Sequence, residues 1–153
     1  MNDLRKEFWE EIYNLAKEDG KIIVLIGDLG FSFVEKFQKE LPNQIINCGI
    51  AEQNMIGVAA GLAIQGFHPF VYSNSIFLLG RAYEQIRDDV CYNDLNVKLI
   101  GTGASGFLGF SHNWQNGEED NVLKSLSIKS CFPKNNQELK VALLDNKIKY
   151  IRI

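Results

Sequence analysis

The sequence predicts a single-domain α/β fold, a parallel sheet with helices on both faces, on three observations. Short β-branched runs trade places with helix-period segments from one end of the chain to the other. Those runs are continuous rather than alternating in polarity, as in Ile22-Ile23-Val24-Leu25-Ile26, which suits strands covered on both faces. The length of 153 residues suits one hydrophobic core, and no repeat or low-complexity linker divides it.

Leu4, Phe8, Ile12 and Leu15 recur every three or four residues, the stripe of an amphipathic helix that stops near Gly20. The strand 22–26 follows, then a helix around 34–41, a strand over 45–48, a helix over 51–64, a strand over 69–72 and a helix from about 76 to 92. Beyond them lie a strand over 97–100, a Gly-rich loop to about Gly117 and a helix over 119–126. A short strand near 127–131, a helix over 137–144 and a final strand over 149–153 close the series. Right-handed crossovers are expected between the parallel strands.

Composition removes several classes of function. At 46% hydrophobic and 23% charged residues the chain reads as an ordinary globular domain, and no apolar run approaches the roughly 20 residues of a spanning helix. The acidic start, MNDLRKEFWEEIYNL, lacks the apolar stretch of a secretory signal, so a mature N-terminus and the cytoplasm are expected. Cys48, Cys91 and Cys131 are far apart with no CxxC pair, which argues against a disulfide framework or a zinc site and for buried thiols. A net charge of -3 without a Lys/Arg stripe leaves no footprint for nucleic acid.

Ligands of open α/β sheets bind beyond the carboxyl ends of the strands, so the strand-to-helix junctions are where chemistry is expected. Gly27-Asp28-Leu29-Gly30 puts a carboxylate at the tip of the first strand, where an Asx turn would serve equally well. Cys48-Gly49-Ile50-Ala51-Glu52 leads into an apolar helix with Gly57 and Gly61 four apart, a helix expected to be buried. Glu52 in its first turn is either a partner of the helix dipole, worth ~0.3–1 kcal/mol, or a catalytic carboxyl. Desolvation at the mouth of an apolar helix disfavours the charged form and suits a group that shares a proton. The third junction, Tyr72-Ser73-Asn74-Ser75-Ile76-Phe77, carries an aromatic whose plain reading is core packing.

In this order and spacing the three junctions resemble the pyrimidine domain of transketolases and deoxyxylulose-phosphate synthases. The string Gly49-Ile50-Ala51-Glu52-Gln53-Asn54-Met55, followed by Gly57-Val58-Ala59-Ala60-Gly61-Leu62-Ala63, is similar to the family's helix bearing the cofactor-activating glutamate. Gly80-Arg81-Ala82-Tyr83-Glu84-Gln85-Ile86-Arg87 looks like the corresponding helix of two-chain transketolases, and Tyr150-Ile151-Arg152 like the usual close of this domain. The resemblance covers nearly the whole chain, as one pyrimidine-binding domain over residues 1–153. It implies that Glu52 hydrogen-bonds N1′ of the aminopyrimidine of thiamine diphosphate, sharing a proton so that the cofactor can become a carbon nucleophile. By the same resemblance Phe77 stacks on the pyrimidine, Asp28 lies near the thiazolium, and Arg81 makes a polar contact to cofactor or substrate. The implied reaction moves a two-carbon ketol unit between sugar phosphates.

The family's diphosphate-binding domain, with its Gly-Asp-Gly…Asn metal motif, has no counterpart in the sequence, so no metal ligand is assigned here. A second polypeptide is expected to supply that domain and hold Mg²⁺, in a heteromer with two copies of each chain. The C-terminal domain of the family also has no counterpart. Where relatives carry a Thr-His pair for substrate, the loop 101–117 reads Ser111-His112; His112 is a candidate for a substrate role, with a solvated loop histidine as the alternative. Two other readings remain: a non-catalytic scaffold or regulatory partner, and a subunit of a 2-oxoacid decarboxylase or dehydrogenase or of a deoxyxylulose-phosphate-synthase-like enzyme.

Overall fold

All five side chains of β1 (Ile22–Ile26) are buried, as a strand enclosed on both faces requires. The computed structural model describes residues 3–103, 112–146 and 149–153. β1 lies between β2 (Ile45–Asn47) and β3 (His68–Asn74); β4 (Lys98–Thr102) continues the sheet, and β5 (Ser130–Cys131) and β6 (Tyr150–Arg152) complete it in the order β2-β1-β3-β4-β6-β5. Every pairing is parallel. Ile26 is in register with both Asn47 and Tyr72, so β1 and β2 finish at one level and β3 runs two residues beyond them.

Successive side chains of a strand leave by opposite faces, and this alternation divides the core in two. Val24, Ile26, Phe70, Tyr72, Ile100 and Ile151 face one cluster, and Ile23, Leu25, Val71, Leu99 and Tyr150 face the other. The first is closed by α1 (Arg5–Glu18), Phe37 of α2 (Glu35–Glu40) and α6 (Asn136–Leu144). Its centre is aromatic: Phe8 stacks on Tyr72 at 5.6 Å and Trp9 meets the same ring edge-on at 5.1 Å. Such pairs add about 0.5–1.5 kcal/mol beyond burial. The second cluster is covered by α3 (Glu52–Ile64), α5 (Glu118–Ser125) and the helical segment between β3 and β4.

Three elements differ from the sequence expectation. The helix expected over 51–64 is not buried all round: Glu52, Met55, Ile56, Ala59 and Ala60 face inward, while Gly57, Val58, Gly61 and Ile64 are exposed, and nothing lies within 4 Å of a Cβ built on either glycine. The apolar composition of the outward face hid its exposure, because periodicity in hydrophobicity is absent when both faces are apolar. The helix expected from 76 to 92 is wound as two π turns, Phe77–Arg81 and Ile86–Cys91, flanking one short α segment, α4 (Tyr83–Gln85). Hydrophobic spacing does not distinguish i→i+5 from i→i+4 winding. The strand expected to begin near Ser127 pairs only at Ser130–Cys131, because Ser127 takes a left-handed conformation (φ 54°) that closes α5.

At the opposite end of the sheet, Lys98 at the start of β4 is only 4% exposed, and its ammonium donates to the carbonyls of Ala142 and Asp145 at the end of α6. Burial pulls its pKa from 10.5 down to about 8. Among the described residues no helix is long and apolar enough to cross a membrane, and no group of three or more His, Cys, Asp or Glu side chains could hold a metal ion.

Candidate functional site

β1 ends in Gly27-Asp28-Leu29-Gly30. A Cβ on Gly27 would lie 3.3 Å from Ser73 Oγ and 3.6 Å from Met55 Cε, so the missing side chain lets β1, β3 and α3 meet. Asp28 adopts a left-handed conformation (φ 55°), which costs energy for most side chains and least for Asp and Asn. Its hydrogen bonds run across the sheet rather than within its own turn. Asn47 Oδ1 accepts from Asp28 N at 3.2 Å and from Gly49 N at 2.9 Å, and Asn47 Nδ2 donates to Asp28 Oδ1 at 3.1 Å. One side chain thus ties the first junction to the second. Sequence reasoning missed Asn47; its only signal was a polar residue at the last position of a strand, before Cys48-Gly49.

Glu52 is the first residue of α3 and is 3% exposed. The helix N-terminus favours a carboxylate there, but an almost fully desolvated charge also needs a direct partner. Arg81 supplies it, donating from Nη1 to Glu52 Oε2 at 3.1 Å. Phe77 and Arg81 are the two ends of the first π turn, and the guanidinium carbon sits 4.0 Å from the centre of the Phe77 ring. The His112 ring meets Phe77 edge-on at 5.1 Å, with its backbone also left-handed (φ 63°). Residues 104–111, which include Ser111 of the expected Ser111-His112 pair, lie outside the described residues.

Asp28, Glu52 and Phe77 line one cleft of about 510 Å³ at the carboxyl ends of the strands, together with Ile50, Tyr72, Asn74, Thr102 and Arg152. Arg81 is not among the lining residues but touches two of them, Glu52 and Phe77. Ser73 Oγ, buried beside Gly27, has no hydrogen-bond partner among the described residues. Burial raises the Tyr72 phenol and the Cys48 thiol above their ordinary ranges, which keeps both neutral.

At the Arg152 wall of the cleft lies a polar cluster that spacing alone did not reveal. The Tyr150 hydroxyl donates to Glu119, and Arg152 Nε lies 3.1 Å from the same carboxylate without the alignment of a hydrogen bond. Arg152 Nη1 donates to the carbonyls of Gly101 and Ile153 at 3.4 and 3.1 Å. Burial raises the Glu119 pKa, against the opposing pull of Tyr150 and Arg152. Trp114 Nε1 donates to Ser75 Oγ at 2.8 Å, fastening the segment after His112 to the junction that leads into Phe77.

Residues 2–146 match the family described as transketolase, pyrimidine binding domain. A protein of Methanocaldococcus jannaschii named "Putative transketolase C-terminal section" is 39% identical over 131 residues, covering 85% of this chain and 40% of that protein. A protein of Phocaeicola vulgatus, named as one of the subunits of an apulose-4-phosphate transketolase, is 39% identical over 112 residues, covering 71% of this chain and 36% of its own length. The chain therefore spans less than half the length of these relatives. Among solved structures, one titled "Split gene transketolase, inactive beta4 tetramer" superimposes with a TM-score of 0.83 at 35% identity, covering 97% of this chain and 50% of that one. A carboxylate at the head of the α3 helix, an aromatic ring beside it at the mouth of a parallel sheet, and this likeness along nearly the whole sequence place the chain in the transketolase pyrimidine-binding domain family.

Proposed function

We propose that this chain is the pyrimidine-binding half of a cytoplasmic thiamine-diphosphate enzyme of the transketolase type, transferring a two-carbon ketol unit between sugar phosphates. In this reading residues 1–153 form one module, and a partner chain brings the diphosphate-binding domain and its Mg²⁺, in a heteromer with two copies of each. The observation that carries it is the placement of Glu52: 3% exposed, at the N-terminus of an apolar helix, in the wall of a cleft beside Phe77.

The residues present suit the pyrimidine end of the cofactor. An aminopyrimidine is flat, weakly polar and basic at one ring nitrogen, and the cleft offers an aromatic face at Phe77 and a desolvated carboxyl at Glu52. When bound, the cofactor supplies the carbon nucleophile and electron sink that amino-acid side chains lack. Glu52 holds or shares a proton at the pyrimidine N1′, Phe77 fixes the plane of the ring, and Asp28, held by Asn47, presents its carboxylate toward the thiazolium end. His112, edge-on to Phe77, is the candidate for a substrate hydroxyl. The similar solved chain is titled an inactive β4 tetramer, a description that agrees with a subunit incomplete without its partner.

Calorimetric titration with thiamine diphosphate and Mg²⁺, on this chain alone and after co-expression with the partner, tests the reading. Tight binding is expected only in the complex, weakened by Glu52→Ala, and Glu52→Gln in the reconstituted complex is expected to lose at least about a hundredfold in turnover. Full activity of Glu52→Gln would overturn the assignment. A complex that assembles yet binds no cofactor would favour the scaffold reading.

A further inference from the structure

Arg81 touches both groups that the proposed function needs, and touches them from outside the cleft. Its Nη1 is 3.1 Å from Glu52 Oε2, and its guanidinium carbon is 4.0 Å from the Phe77 ring centre, yet it does not line the cleft that Glu52 and Phe77 share. A planar guanidinium can stack on a ring and donate in its own plane at the same time, which an ammonium cannot.

The backbone makes this arrangement specific. Phe77 and Arg81 open and close a π turn, and the residues next to Phe77 inside it, Leu78 and Leu79, are fully buried, as is Ala82 just after it. The turn is therefore anchored in the core while its two ends reach toward the cleft. Turns of this kind occur often at functional sites. Glu52, by contrast, starts a helix whose N-cap residue, Ala51, makes no side-chain cap, and its carboxyl is bonded by Arg81 from a different element. The Arg81 side chain is 44% exposed while that of Glu52 is 3% exposed, so the guanidinium bridges solvent and a desolvated acid.

We infer that Arg81 is a positioning residue: through one guanidinium it aims the Glu52 carboxyl at the pyrimidine N1′ and braces Phe77 against the opposite side of the stacked ring. The inference rests on the proposed function and goes beyond it, since it gives Arg81 a role without contact to cofactor or substrate. A group that only supports the fold would, when lost, weaken every ligand of the cleft alike. A group that aims the carboxyl would, when lost, weaken the ligand that needs that aim.

The experiment compares two probes by calorimetry on the complex with the partner chain: thiamine diphosphate, and its analogue with C–H in place of the pyrimidine N1′. The ratio of their Kd values reads the Glu52 to N1′ bond. Arg81→Met is expected to reduce that ratio about tenfold, and Arg81→Lys, which keeps the charge and loses the flat fork, to restore only part of it. Arg87→Met, which removes an exposed cation paired with its neighbour Asp88 on the same segment, is expected to leave the ratio unchanged. Arg81→Met weakening both probes equally, or tightening either, would overturn the inference while leaving the function intact. A wild-type complex that binds neither probe, or both equally, would overturn the proposed function and this inference with it.

Discussion

Gly101 is where β4 passes closest to the polar cluster at the Arg152 wall of the cleft, and its substitution by alanine gives a direct test of how rigid that region is. A Cβ there would lie 2.2 Å from Tyr150 Oη, 2.8 Å from Tyr150 Cζ and 2.9 Å from Ser75 Cβ. None of these can give way cheaply. Tyr150 is fully buried and its hydroxyl is bonded to Glu119, and Ser75, also fully buried, holds Trp114. Overpacking a core costs about 1–3 kcal/mol. Displacing the hydroxyl from the half-buried Glu119 carboxylate adds about 1.5–3 kcal/mol, so Gly101→Ala is expected to lose roughly 3–5 kcal/mol. Tyr150→Phe alone loses the hydrogen bond, about 2 kcal/mol, and removes the atom in the worst clash. The double variant should therefore be more stable than the sum of the singles predicts, by at least about 1 kcal/mol. Urea denaturation with a common m value measures all four proteins. Additivity to within about 0.5 kcal/mol, or a neutral Gly101→Ala, would refute the picture of a fixed Tyr150 wedged between β4 and α5.

Asn47→Ala removes the side chain that joins Asp28 to Gly49. It should weaken thiamine-diphosphate binding in the complex about tenfold and cost about 1 kcal/mol in stability; unchanged affinity would detach the Asp28 turn from the site. Lys98 gives a pH signature. With a folded pKa of about 8 against an ordinary 10.5, the folded chain binds fewer protons than the unfolded one between those values, so its contribution to stability rises across that window and is lost as pH falls through 8. The difference between wild type and Lys98→Met in chemical denaturation should therefore slope with pH from about 8 to 10.5, by up to about 1.4 kcal/mol per unit, and be flat below. A flat difference throughout would mean that Lys98 is not desolvated.

The alternation of buried runs and helices made the sheet and its two-sided cover readable from sequence, because enclosure on both faces leaves a strand no polar positions. Asp28, Glu52 and Phe77 were readable as junction residues for a similar reason: the carboxyl ends of parallel strands converge, so residues just after them meet whatever their separation in the chain. The structure brings those three to one cleft. What stayed hidden depends on side chains crossing between elements. Asn47 acts through a bond to a residue 19 positions away, and Tyr150 through one 31 positions away, separations that carry no local pattern. Arg81 was found by its motif, but the π winding that sets Phe77 and Arg81 at the two ends of one turn leaves no mark in hydrophobic spacing. The exposed outer face of α3 was missed because its glycines and aliphatic residues read as interior.

Asp28, Asn47, Glu52, Phe77 and Arg81 all fall within residues 28–81, in or after the three adjacent strands β1, β2 and β3, whereas His112, Trp114 and Arg152 come from β4 and beyond. The sheet order puts β1, β2 and β3 on one side of the β3–β4 seam and β4, β5 and β6 on the other, and the two sets meet where His112 packs on Phe77. A recombination event near residue 97 would thus exchange one set and leave the other whole. Residues 27–81 and the residues from β4 onward can then diverge at different rates, with the packing of His112 on Phe77 and the bond from Trp114 to Ser75 as contacts that both sides must keep.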